Sequence, residues 1–215
     1  MRGIVSLSVL LAMLVPAAGA QSIPMPPELK AYVMRPDQQK AVLNAMFSYW
    51  HALVPECSTP QFKQMNVIVI SQPVFDATGN PTSGSWRMAG HIEGCGEDKI
   101  MNVLYWFGAD GKMKMTQMLP GTTIADLLLE KDAIFYARTG MMGLAPKDCK
   151  EARILDTKFI RFDGTSPQTM PGRDNRTWSE EWTVRTCSVT GVVPMHFIPD
   201  ATGTTIHSEI VKAAQ

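Results

Sequence analysis

The chain has 215 residues, 20 Lys plus Arg against 20 Asp plus Glu, a formal net charge of zero and 45% hydrophobic residues. That length suits one domain or two small ones. The balanced charge leaves neither a basic stripe for a phosphate backbone nor an acidic tail, which argues against nucleic acid as a partner.

Arg2 supplies a short positive start, Ile4 to Val15 an apolar stretch, and Ala18-Gly19-Ala20 a small-residue cleavage site before Gln21. Residues 1–20 therefore read as a signal peptide, and the apolar stretch is too short to span a bilayer well. No cysteine follows the cleavage site to take a lipid, and no other run is apolar enough to cross a membrane. The mature chain is expected in the periplasm or secreted, without a membrane span.

Residues 21–36 carry Pro24, Pro26, Pro27 and Pro36. Proline lacks a donor and resists helix, so this segment is expected to be an extended arm, either disordered or docked. Ile23, Met25, Leu29, Tyr32 and Val33 give it apolar material to bury. Asp37 can cap a helix, after which Val42, Met46, Tyr49 and Leu53 recur at helical spacing until Pro55.

Cys57 follows, and with it the organising feature of the chain. Cys57 and Cys95 lie 38 positions apart, as do Cys149 and Cys187. Sliding the chain by 92 positions lays one pair on the other without a gap, Trp86 on Trp178, Tyr105 on Phe197 and Gly111 on Gly203. Shared spacing of this kind is the mark of an internal duplication. An even number of cysteines in an exported chain implies disulfides, and the duplication selects Cys57–Cys95 and Cys149–Cys187 from three connectivities.

In the first copy, strands are expected over Asn66–Val74, Trp86–Ile92, Met101–Phe107 and Lys112–Met118, with turns at Gly79-Asn80-Pro81 and Asp110-Gly111. The second copy opens with a helix from Asp126 or Asp132, stopped by Gly140 and Gly143. Its strands are expected over Thr157–Phe162, Trp178–Val184, Val192–Ile198 and Thr204–Ile210, with turns at Pro171-Gly172 and Thr202-Gly203. The expected fold is α+β: two tandem copies of a helix followed by a four-stranded antiparallel sheet, each stapled by one disulfide. Repeat 1 spans 37–118 and repeat 2 spans 119–215. The short linker Leu119-Pro120-Gly121 implies that the units pack together, their sheets being separate or continuous.

Candidate chemistry is sparse. Met113, Met115 and Met118 resemble a thioether set for Cu(I), with His207 matching Met115 in the second copy. The alternation with Lys112 and Lys114 equally suits a half-buried strand with methionine inward. The four histidines, His51, His91, His196 and His207, form no H-x-H or H-E-x-x-H pair. Hydrolase, phosphate-loop and dinucleotide signatures are absent from the sequence. Glu180 lies between Trp178 and Trp182 on one strand face, where an edge carboxylate in contact with water is the expected reading, with a carbohydrate site as its alternative. No catalytic residue and no resident cofactor are expected, and an enzyme would have to use His91, Glu93 or Glu180 as acid or base.

Large rings exceed the needs of two small cores, and Tyr32, Trp50, Trp106, Trp178 and Trp182 are the interface candidates. The expectation is an exported, non-catalytic accessory subunit that docks on a larger periplasmic or membrane-bound enzyme, for example a dehydrogenase assembly. The alternative is a carrier of a small apolar ligand, or of copper through Met113 and Met115.

Overall fold

The computed structural model describes residues 23–146, 148–149, 151–164, 176–200 and 203–211. The expected signal peptide, the turn at Pro171-Gly172 and Thr202 lie outside the described residues. Helix α1 (Pro27–Val33) and helix α2 (Pro36–Leu53) precede strands β1 (Gln61–Phe75), β2 (Pro81–Gly94), β3 (Glu97–Phe107) and β4 (Met113–Gln117). The pattern then repeats, with helix α3 (Leu127–Gly140), a 3-10 turn (Met141–Gly143), and strands β5 (Arg153–Asp163), β6 (Thr177–Thr186), β7 (Val189–Pro199) and β8 (Thr204–Ser208). Each half is a four-stranded antiparallel sheet in simple sequential order. The α+β repeat architecture and both disulfides, Cys57–Cys95 and Cys149–Cys187, are as expected.

The duplication extends to local geometry. Trp86 stacks on its cross-strand neighbour Tyr105 at 5.3 Å, and Trp178 on Phe197 at 4.8 Å, with the planes within 8° and 7° of parallel. The β2–β3 and β6–β7 hairpins both close on two residues, the first being the second cysteine of its pair. Cys95 and Cys187 hold φ of 52° and 50°, as primed hairpin turns demand of their first central residue.

Of the two arrangements left open, the sheets are separate. Two expectations need correction. The arm is not extended: Pro27 and Pro36 each occupy a first helical position, where a missing N–H costs nothing and a fixed φ suits the helix. Helix α1 buries Leu29, Tyr32 and Val33 against the first core, and Ile23 bridges to Val69, so the arm docks on its own repeat. The 92-residue offset also has gaps. The buried stripe Val42, Met46, Trp50 matches Ala133, Ala137, Met141 at an offset of 91. The β7–β8 loop is likewise one residue shorter than the β3–β4 loop, because Phe107 pairs with Met113 but Pro199 with Thr204.

The offset helices show how each core is filled. In repeat 1 the helix is bulky and the sheet is thin: a Cβ on Gly90 would lie 2.4 Å from Met46 Sδ. In repeat 2 the position of Gly90 holds the fully buried Trp182, and the helix stripe offers Ala133 and Ala137. Volume removed from one layer returns in the other, as close packing requires.

Candidate functional site

Helices α1 and α2 cover one face of the first sheet. The opposite face carries Ile68 and Ile70 from β1, Arg87 from β2, and Leu104 and Trp106 from β3. The linker after β4 turns back over this face, so that Met118, Ile124 and the start of α3 form a far wall. Asp126 caps α3 by accepting from the N–H groups of Leu128 and Leu129, and this cap sets Leu128 at the rim. An open, mostly apolar groove of about 540 Å³ results. Ile70 and Leu128 are 52% and 71% exposed, an arrangement that leaves apolar surface unspent.

Arg87 stands at the inner end of this groove. Its Nη1 donates to Thr123 O at 3.0 Å, its Nε is buried without a partner among the described residues, and burial pulls its pKa down against the pull of Glu130 and Glu180. Glu180 sits behind it, only 1% exposed. Its two oxygens accept from Thr123 Oγ1, Ile124 N, Trp178 Nε1 and Trp182 Nε1 at 2.7–3.1 Å. The face-sharing of Trp178, Glu180 and Trp182 is as expected, but contact with water is not. The carboxylate is a buried clamp that ties the linker to the second sheet, with three donors on Oε1 and one on Oε2. It is closed to substrate.

The matching face of repeat 2 has different chemistry. Ser179, His196 and Ile198 replace Arg87, Leu104 and Trp106. Ser179 Oγ donates to Asp163 and lies 3.0 Å from His196 Nδ1, and His196 Nε2 lies 3.2 Å from Glu209 Oε1. Ser179 and then Arg161 hold the Asp163 carboxyl below its ordinary pKa. This chain has the membership of a hydrolytic triad but the wrong polarity. With its one proton given to Asp163, Ser179 can only accept from the imidazole, the reverse of what a general base requires.

His91, Glu93 and Asp98 bring their ligand atoms within 4.8 Å of one another at the outer surface of β2 and β3. The set is already engaged internally: His91 Nε2 pairs with Asp98, and Lys63 Nζ meets Glu93 at 3.0 Å. The copper candidates do not assemble. Met113 and Met115 belong to β4 of the first sheet and His207 to β8 of the second. In register Met115 matches Ile206, not His207, since Tyr105 pairs with Met115 and Phe197 with Ile206. Met113 and Met115 are 37% and 43% exposed rather than turned into the core, and Met113 Sδ accepts from Tyr32 Oη at 3.7 Å.

Four of the five interface candidates are core residues: Tyr32, Trp50, Trp178 and Trp182 are buried inside their own repeats. Trp106 alone reaches the surface, under the Lys114 ammonium at 5.3 Å from the ring centre. The groove around it was missed in sequence because its far wall comes from the linker; the alternation of Ile68 and Ile70 with buried Val69 was the available signal. No protein-family model, curated protein or solved structure matches the chain.

Proposed function

We propose that the protein is an exported, non-catalytic interaction subunit that docks on a larger envelope protein through the groove of its first repeat. One observation carries this reading: repeat 1 keeps an open, mostly apolar groove of about 540 Å³, whereas the matching face of repeat 2 carries the polar network of Asp163, Ser179, His196 and Glu209. The two copies of the module have diverged at this face, and an apolar face rimmed by polar groups is the usual form of a contact site. Two disulfides fit an oxidising compartment outside the cytoplasm. An accessory role in a membrane-bound enzyme such as a dehydrogenase assembly remains the concrete form of this proposal.

The test is recovery of the tagged full chain from native envelope extracts beside Ile124→Glu and Leu128→Glu. The expected result is a stoichiometric larger partner with the wild type and none with either variant. A wild-type protein recovered alone, or variants that keep the partner, would sink the reading. A carrier of a small apolar ligand is the second reading, favoured because the groove lies within the ordinary volume range of ligand pockets. Saturable binding of a fluorescent apolar probe at a single site, abolished by Ile124→Glu, would select it.

A further inference from the structure

An antiparallel sheet must protect the backbone groups along its two outer strands, or another chain will pair with them. Three of the four outer strands here are protected by recognisable means. β4 and β8 are only five residues long. β5 is covered along its middle by the linker, where Thr122 N donates to Thr157 O and Phe159 N to Thr122 Oγ1. β1 is the exception. It runs 15 residues, pairs with β2 on one side, and on the other meets only Ile23, at Val69, among the described residues.

The second half of β1 is broken by register shifts between Val69 and Phe75, which bend an edge away from flat pairing. From Gln64 to Val69 the pairing is regular, residue by residue. That stretch reads Gln-Met-Asn-Val-Ile-Val, without a charge, a proline or a glycine. Short uncharged segments rich in β-branched residues are the ones that pair with copies of themselves. No lysine or glutamate inside it opposes pairing.

We propose that the Gln64–Ile68 stretch of β1 is a homodimer seam, along which a second copy of this chain adds its own β1 antiparallel about a two-fold axis at Asn66. A second copy is the occupant these features select. Pairing about Asn66 sets the same five residues against themselves, uncharged against uncharged; the register shift between Phe62 and Gln64 bends each strand aside before it meets the Val69 position that Ile23 occupies. Without Arg2 the 21–215 chain carries 19 Lys plus Arg against 20 Asp plus Glu, a formal net charge of −1 that leaves little long-range repulsion between copies. The contact is isologous and closes at two chains. It joins the first sheets of both copies into one eight-stranded sheet and sets their two grooves on the same face. The seam does not depend on the groove having a partner, and the groove variants leave it intact.

Sedimentation equilibrium of the mature, disulfide-bonded protein (residues 21–215) reads the proposal directly, with Asn66→Lys and Asn66→Glu as variants at an exposed position. The expected result is a concentration-dependent dimer whose dissociation constant rises about tenfold or more in each variant, because like charges then face each other across the axis. An equal mixture of the two variants should dimerise again, since lysine then faces glutamate, and a variant that had merely misfolded could not be rescued this way. A monomer up to concentrations of about 100 µM, well above ordinary dimer affinities, overturns the seam. So does a dimer indifferent to either variant, or a mixture without rescue.

Discussion

Glu180 shows how much one buried side chain can organise. A carboxylate taken out of water is costly unless its oxygens find donors, and here two indole N–H groups, a hydroxyl and a backbone N–H supply them. The arrangement joins β6 to the linker through Thr123 and Ile124, so the same residue that completes the second core also holds up the wall of the groove. Glu180→Gln keeps the shape but replaces one acceptor with a donor, which must face an indole N–H or the Thr123–Ile124 pair. We expect a loss of about 2–4 kcal/mol in urea unfolding. An unchanged midpoint would mean that the four contacts carry no net stability. The same substitution should loosen Ile124 and weaken the proposed docking at the groove before the protein unfolds.

At the scale of elements, helix and sheet in each repeat divide a fixed core volume differently. Met46 fills the space above Gly90, whereas Trp182 fills the corresponding space below Ala133 and Ala137. Gly90→Ala should therefore cost about 1–3 kcal/mol by overpacking, and Met46→Ala about 2–5 kcal/mol by leaving a cavity. The double variant should cost less than the two together by about 1 kcal/mol, because the added methyl enters the space the methionine leaves. Strict additivity in thermal unfolding would show that the two positions do not share a cavity. The strands and hairpins were legible in the sequence, since alternation and turn residues are local signals that burial does not alter. Helix α1 is not: proline reads as a helix breaker, and only the position of Pro27 and Pro36 at first turns reconciles them with helix. The stripe of α3 was faint for a physical reason, because Trp182 leaves room for nothing larger than alanine at two of its turns. Counting aromatic rings likewise could not tell an inward Trp178 from a surface Trp106, since that depends on which sheet face the helices cover.

Across the whole molecule, the two repeats meet through the linker and through β5, where Arg153 Nη1 donates to Ala52 O and Leu155 packs on the first core, rather than through a shared sheet. Gly121 N donates to Ile100 O of the first sheet, Thr122 N to Thr157 O of the second, and Asn102 Nδ2 to both Leu119 O and Gly121 O. Gly121 holds φ of +101°, and a Cβ there would lie 1.9 Å from Thr157 O, so the joint tolerates no side chain at this point. Glu130 of α3 is sealed into the same joint. Leu119 N donates to its Oε2, while its Oε1 is buried without a partner among the described residues. Burial raises its pKa from 4.5 to about 7, opposed by the Leu119 hydrogen bond and Arg87 and reinforced by Glu180 and Asp126. The raised value means that the folded protein holds this proton more tightly than the unfolded chain. Stability should therefore be highest at low pH as far as this group is concerned, and fall as pH rises from 4.5 to about 7. The loss is on the order of 3 kcal/mol once both states are ionised. Denaturant unfolding of wild type and Glu130→Gln across this window isolates the contribution, since the amide stays neutral throughout. The variant should match the wild type near the acid end and exceed it above neutrality. Parallel pH profiles would show that the joint admits enough water to keep Glu130 at its ordinary value, and with it that the two repeats are less tightly sealed than the buried oxygen implies.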